Sequence, residues 1–147
     1  MTTASTNDNA QSGHRMPTYQ ALAHDIKNLG VECVFGLMSD DTALFATEID
    51  TIGIPFIGGR HENNAIAMAE GYSSTTGRLG IAIIGRGPAA ANGLHAAVSA
   101  SRTGSKVLII YGEMPVGGGA VNTIGPDYKA FNASGVLAAA GLQTFSP

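Results

Sequence analysis

Three short clusters in this sequence hold residues whose type and spacing could do chemistry. Arg60-His61-Glu62 follows an apolar run and opens an amphipathic one. A carboxylate in the first turn of a helix is favoured by the positive end of the helix dipole. Taken alone, Glu62 could be a catalytic group or only a helix cap. The second cluster, Gly85-Arg86-Gly87-Pro88-Ala89-Ala90-Ala91-Asn92, also lies between an apolar run and a helical pattern. It reads either as a degenerate dinucleotide fingerprint, with Glu113 as the ribose acid, or as a tight turn whose backbone approaches another ligand. Pro88 removes one amide that a phosphate would need, and two strand-helix units precede the turn, so the fingerprint fits poorly. The third cluster is Tyr111-Gly112-Glu113-Met114-Pro115, which leads into Gly117-Gly118-Gly119. None of His14, His24, His61 and His95 stands at metal-ligand spacing with carboxylates or with Cys33, and no serine lies in a nucleophile elbow.

The elements that position these clusters follow from hydrophobic periodicity. Tyr19, Leu22, Ala23, Ile26 and Leu29 keep helical spacing from Pro17, with Gly30 just past the end. Val31 to Phe35, Ile54 to Ile57, Gly80 to Gly85 and Lys106 to Tyr111 read as buried strands. Between them, a second helix is capped by Asp40 or Asp41, and a third carries Ala65, Met68, Ala69 and Tyr72 on one face. A fourth runs from Gly87 to Ser101 with Leu94, Ala97, Val98 and Ser101 inward. Asp127 to Phe131 reads as a helical turn, and Val136 to Phe145 has no decisive pattern. Strict alternation of short apolar strands with helices predicts an α/β fold: a doubly wound, mostly parallel sheet with helices on both faces. In such sheets function gathers in the loops after the strand C-termini, here at Gly36, Gly58, Gly85 and Gly112.

Length and composition set the outer bounds. The 147 residues suit one domain, read as 16–147 behind a polar, aperiodic leader over 1–15. No apolar run approaches the roughly 18 residues of a membrane span, no secretory pattern is present, and a single cysteine permits no internal disulfide, all of which favour the cytoplasm. A net charge of −3 with no basic stripe argues against nucleic acid. Charged residues make up only 13 %, about half the usual share. So little charge points to a surface covered by another domain or subunit, as in a homo- or hetero-oligomer.

Taken together, the clusters resemble the N-terminal, pyrimidine-binding domain of the thiamine-diphosphate-dependent acetolactate synthase and benzoylformate decarboxylase family. The likeness runs from about Tyr19 to Phe131. Val34-Phe35-Gly36 is similar to the family's V-F-G, and Arg60-His61-Glu62 with Ala67-Met68-Ala69-Glu70-Gly71-Tyr72 to its R-H-E and A-x-E-G-Y helix. Gly87-Pro88 with Asn92 is similar to S-G-P-G-x-x-N, and Gly112-Glu113-Met114-Pro115 to G-Q-x-P. Ile124-Gly125-Pro126-Asp127 and Phe131 echo I-G-x-D-x-F. The resemblance implies that Glu62 bonds the cofactor's pyrimidine ring and promotes loss of the thiazolium C2 proton, the cofactor then serving as electron sink toward a 2-keto acid. A carboxylate in an apolar cleft is suited to sharing a proton with a ring nitrogen. It also implies that Gly36, Gly87, Pro88 and Asn92 line the cofactor. The departures from the family pattern are Leu37-Met38-Ser39, Arg86, Ala89 and Glu113, which fall where substrate would lie. Arg86 could hold a substrate carboxylate or pair with Glu113. The family's Mg2+-binding G-D-G motif does not occur here. The resemblance therefore implies a half-site, inactive alone, that needs a diphosphate-binding domain or subunit carrying the Mg2+. A module of the same fold without catalysis is the alternative.

Overall fold

The computed structural model describes residues 16–113 and 129–146. Strands and helices alternate except that two helices follow β3: α1 (Thr18–Asn28), β1 (Val34–Gly36), α2 (Ala43–Thr51), β2 (Phe56–Gly58), α3 (Glu62–Thr76), β3 (Gly80–Ile84), α4 (Ala89–Asn92), α5 (Leu94–Thr103), β4 (Val107–Tyr111) and α6 (Ala133–Ala139). The four strands form one parallel sheet in the order β2-β1-β3-β4.

Strand side chains alternate between two apolar layers. On one face Val34, Ile81 and Ile83 pack with Ala23 and Ile26 of α1 and with Phe45 and Ile49 of α2. On the other, Phe35, Ala82 and Ile84 pack with Ala65, Ile66 and Ala69 of α3 and with Ala96 and Ala97 of α5. All five β3 residues are buried, because this strand has neighbours on both edges and helices on both faces. From β1 the chain moves outward to β2, then returns through α3 to β3 on the other side of β1. The winding therefore reverses between β1 and β3, and in doubly wound sheets that switch point opens a crevice at the strand C-termini.

Several sequence expectations are corrected. The first two strands lie later than predicted, at Val34–Gly36 and Phe56–Gly58. The predicted helix over Gly87 to Ser101 is two helices broken at Gly93, where a β-carbon would stand 2.5 Å from the Ile66 side chain. Its inward face is Ala96, Ala97 and Ala100, whereas Leu94 and Val98 are half-buried and Ser101 is exposed. Alanines occupy the inner side because α5 packs closely on α3, and the amide of Ala96 bonds the Asn63 side chain at 2.8 Å. In α1 only Ala23 and Ile26 are buried, while Leu22 and Leu29 face out. Neither Asp40 nor Asp41 caps α2. Its N-cap is Thr42, and Asp41 is engaged elsewhere. The ambiguous C-terminal stretch forms α6 near its start. The leader, Gly117 to Gly119 and Ile124 to Asp127 lie outside the described residues. No helix among the described residues is long and apolar enough to cross a membrane.

Candidate functional site at the sheet switch point

Glu62 is the first residue of α3, immediately after the short crossing that follows β2. His61 caps the helix: its Nδ1 accepts from the amide of Asn63 at 3.1 Å. This fixes the turn that delivers the next side chain. The Glu62 side chain is 13 % exposed. Its Oε2 accepts a hydrogen bond from Asn92 Nδ2 at 3.2 Å, and His61 Nδ1 stands 4.0 Å away. Among the described residues Asn92 is the single hydrogen-bond donor to this carboxylate, which leaves Oε1 able to accept another. Asn92 is the last residue of α4, so the break at Gly93 lets a side chain at the end of one short helix reach the start of α3.

The neighbouring strand ends are packed against one another. Gly36, the end of β1, is buried, and a β-carbon there would stand 2.6 Å from the Ile83 carbonyl and 2.7 Å from the Phe56 ring. The amide of Leu37 donates to the Ile83 carbonyl at 3.2 Å, joining the β1 loop to β3 at the switch point. Beyond it Leu37 and Ser39 are half-buried, and Met38 is 55 % exposed. Arg86 is half-buried, Gly87 buried, and Pro88, Asn92 and Glu113 exposed. Pro88 is the N-cap of α4. Gly87 has φ +67°, a backbone state that side-chain-bearing residues avoid.

Two residues that the sequence did not single out for the site organise these loops. The Asp41 side chain, 12 % exposed, accepts at Oδ2 from the Arg86 amide at 2.6 Å. Its Oδ1 accepts from Ser39 Oγ and from Lys129 Nζ, both at 2.8 Å. Lys129 also pairs with Asp40. Burial alone would raise the Asp41 carboxyl. The hydrogen bonds from Lys129, Ser39 and the Arg86 backbone outweigh it and hold the group well below the usual carboxylate range. Bonding to Asp40 and Asp41 pushes the Lys129 ammonium up in turn. The sequence carried one available signal: two adjacent aspartates after a strand end exceed what one helix cap requires. Lys129, 88 positions away, had none.

An open groove of about 610 Å³ lies along α4 and α5, with Ala91, Leu94, His95, Val98 and Arg102 on its walls, and Glu62 is not among its lining residues.

The fold is a doubly wound α/β domain with a largely covered carboxylate at the start of α3. Residues 16–134 match the family described as thiamine pyrophosphate enzyme, N-terminal TPP binding domain, and the chain belongs to that family. It is 31 % identical over 96 residues to the acetolactate synthase large subunit of Haemophilus influenzae, a match covering 65 % of this chain and 17 % of that protein. It is 34 % identical over 73 residues to a Pseudomonas aeruginosa protein named "Probable 2-ketoarginine decarboxylase", covering 50 % of this chain and 13 % of that one. Among solved structures, the thiamine diphosphate-dependent 4-hydroxybenzoylformate decarboxylase of Rhodococcus jostii superposes with a TM-score of 0.63 at 19 % identity, over 69 % of this chain and 19 % of that one. The chain thus spans under a fifth of these relatives' length. Membership of this family removes the ground for the dinucleotide-fingerprint reading of Gly85 to Ala90.

Proposed function

We propose that this chain is the cofactor-activating half-site of a thiamine-diphosphate-dependent enzyme acting on a 2-keto acid, with Glu62 as the activating carboxylate. The observation that carries this reading is the placing of Glu62: a largely covered carboxylate at the start of α3, held on one oxygen by Asn92 at the end of α4. The donor set fits the pyrimidine end of the cofactor, since a carboxylate oxygen open to a further hydrogen bond can accept from a protonated ring nitrogen. When bound, thiamine diphosphate supplies an electron sink for carbanion chemistry. The chain's own residues orient and hold. Glu62 keeps a proton at the ring nitrogen, Asn92 fixes the carboxylate's rotamer, and the 85–88 turn with Gly36 shapes the adjoining wall. The diphosphate and its Mg2+ are assigned to another domain or subunit.

The test is calorimetric titration of the full-length protein that carries these residues, using thiamine diphosphate with Mg2+. Saturable binding is expected, weakened at least about tenfold in Glu62→Ala, the scale of one lost charge-assisted contact. Absence of binding by the wild-type protein would overturn the assignment.

Arg86 lies in the turn beside this site, and we assign it to the carboxylate of the keto acid. Arg86→Ala should then raise KM for pyruvate or benzoylformate by about tenfold or more while kcat changes little, as expected when a contact is equal in ground and transition states. Steady-state kinetics on both substrates checks this. An unchanged KM with a lowered melting temperature would instead give Arg86 a purely structural role.

A further inference from the structure

Asp41 and Lys129 close a ring of contacts around the turn that leaves β3. Asp41 Oδ2 holds the Arg86 amide at 2.6 Å. The next residue, Gly87, lies directly against the backbone carbonyl of Lys129, where no β-carbon could fit. Lys129 Nζ returns to Asp41 Oδ1 at 2.8 Å. Ser39 Oγ, also at 2.8 Å, fixes the same Asp41 oxygen from the β1 loop. The ring thus ties the loop after β1, the turn after β3 and the segment entering α6. The held turn runs directly through Pro88 into α4, whose last residue is Asn92, the donor to Glu62.

We propose that Asp41 is a positioning residue. As a carboxylate clasped by Lys129, it sets the 85–88 turn and so the register in which α4 presents Asn92 to Glu62. The proposal rests on the function proposed above for Glu62. Its chemistry is that of a fixed acceptor. An ionised carboxylate accepts several donors at once, and here it takes one backbone N–H, one hydroxyl and one ammonium. Two of those donors come from segments remote in sequence. No neutral side chain of that size offers the same combination of charge and acceptor capacity. The clasp is read from the contacts of Asp41 with Arg86, Ser39 and Lys129.

The test uses the full-length protein in Asp41→Ala, Asp41→Asn, Asn92→Ala and Asp41→Ala/Asn92→Ala forms. Hydrogen exchange is read by mass spectrometry at the Arg86 amide, with the β3 amides as internal reference. In Asp41→Ala, exchange at Arg86 should rise at least about tenfold while β3 keeps its protection, the mark of local rather than global opening. Asp41→Asn keeps an acceptor for the Arg86 amide and should restore part of the protection. Cofactor-dependent turnover should fall between about tenfold and 100-fold in Asp41→Ala, the scale of a displaced catalytic geometry. If Asp41 acts through Asn92, the double variant should be little worse than Asn92→Ala alone. Unchanged Arg86 exchange would overturn the clasp. Altered exchange with wild-type turnover, or fully multiplicative losses in the double variant, would overturn its link to Glu62. Glu62→Gln, run alongside, separates the two readings: full activity there sinks the assigned role of Glu62, whereas the exchange result speaks to the clasp by itself.

Discussion

Replacing Glu62 with glutamine is expected to lower turnover of the full-length enzyme by at least about 100-fold, the lower scale for losing an acid-base group. Glutamine is the informative replacement because it keeps the shape of the side chain. Its amide oxygen can still accept from Asn92 Nδ2, the contact that now spans 3.2 Å. What it loses is the negative charge that would hold a proton on the cofactor ring. Folding should change little, because a charge in the first turn of α3 interacts with the helix dipole by only about 0.5 kcal/mol. Steady-state turnover and a thermal melt, measured on the same preparation, check both halves of the expectation. Turnover near the wild-type value in a normally folded Glu62→Gln protein would end the case for Glu62 as the activating group.

The largest stability effect is expected at Gly80, the first residue of β3. A β-carbon there would overlap the Ala69 carbonyl oxygen and stand 2.8 Å from its carbon. Ala69 is buried in the middle of α3, so the obstacle is helix backbone and not the tip of a flexible side chain. Gly80→Ala must therefore push α3 away from the sheet. Overpacking usually costs about 1–3 kcal/mol, and this site belongs at or above the top of that range. Scanning calorimetry should show unfolding of this domain earlier by on the order of 10 °C. Gly71→Ala is the matched control, since Gly71 lies in the same helix and a β-carbon there meets nothing within 4 Å. That variant should be neutral or more stable by up to about 1 kcal/mol, through helix propensity. Equal behaviour of the two variants would show that α3 does not seat on β3 as closely as described. Because α3 carries Glu62, Gly80→Ala should also reduce activity, with loss of stability as the cause.

The order and type of the elements through β4 were legible in the residues. Short apolar runs at Val31 to Phe35, Ile54 to Ile57, Gly80 to Gly85 and Lys106 to Tyr111, separated by helical periodicity, imply a covered parallel sheet because strands buried on both faces leave no polar alternation. The position of Glu62 at a helix start was equally legible, since it follows a strand and a glycine pair and precedes a long helical pattern. Boundaries and faces were less so. The expected inward Leu94 and Val98 are half-buried, and smaller alanines hold the inner side of α5, because helix-to-helix distance rather than hydropathy selects the residue there. Leu22 and Leu29 keep the helical spacing of α1 but face out, and the buried residues of that helix are Ala23 and Ile26.

What the sequence alone determined was local and periodic: the α/β class and the succession of short buried strands, helices and strand-end loops. Each depends on residues a few positions apart, where spacing along the chain dictates spacing in space. What only the tertiary structure decided was which loops meet. Sheet order β2-β1-β3-β4 places the β1 loop beside the turn after β3, although 48 positions separate Leu37 from Gly85 in the chain. That adjacency takes Asp41 away from its expected place as a helix cap and aims it at the Arg86 amide. It also brings in Lys129 from the far end of the chain. A carboxylate's partner is set by the donors that the finished sheet brings within about 3 Å, and no local pattern encodes that distance.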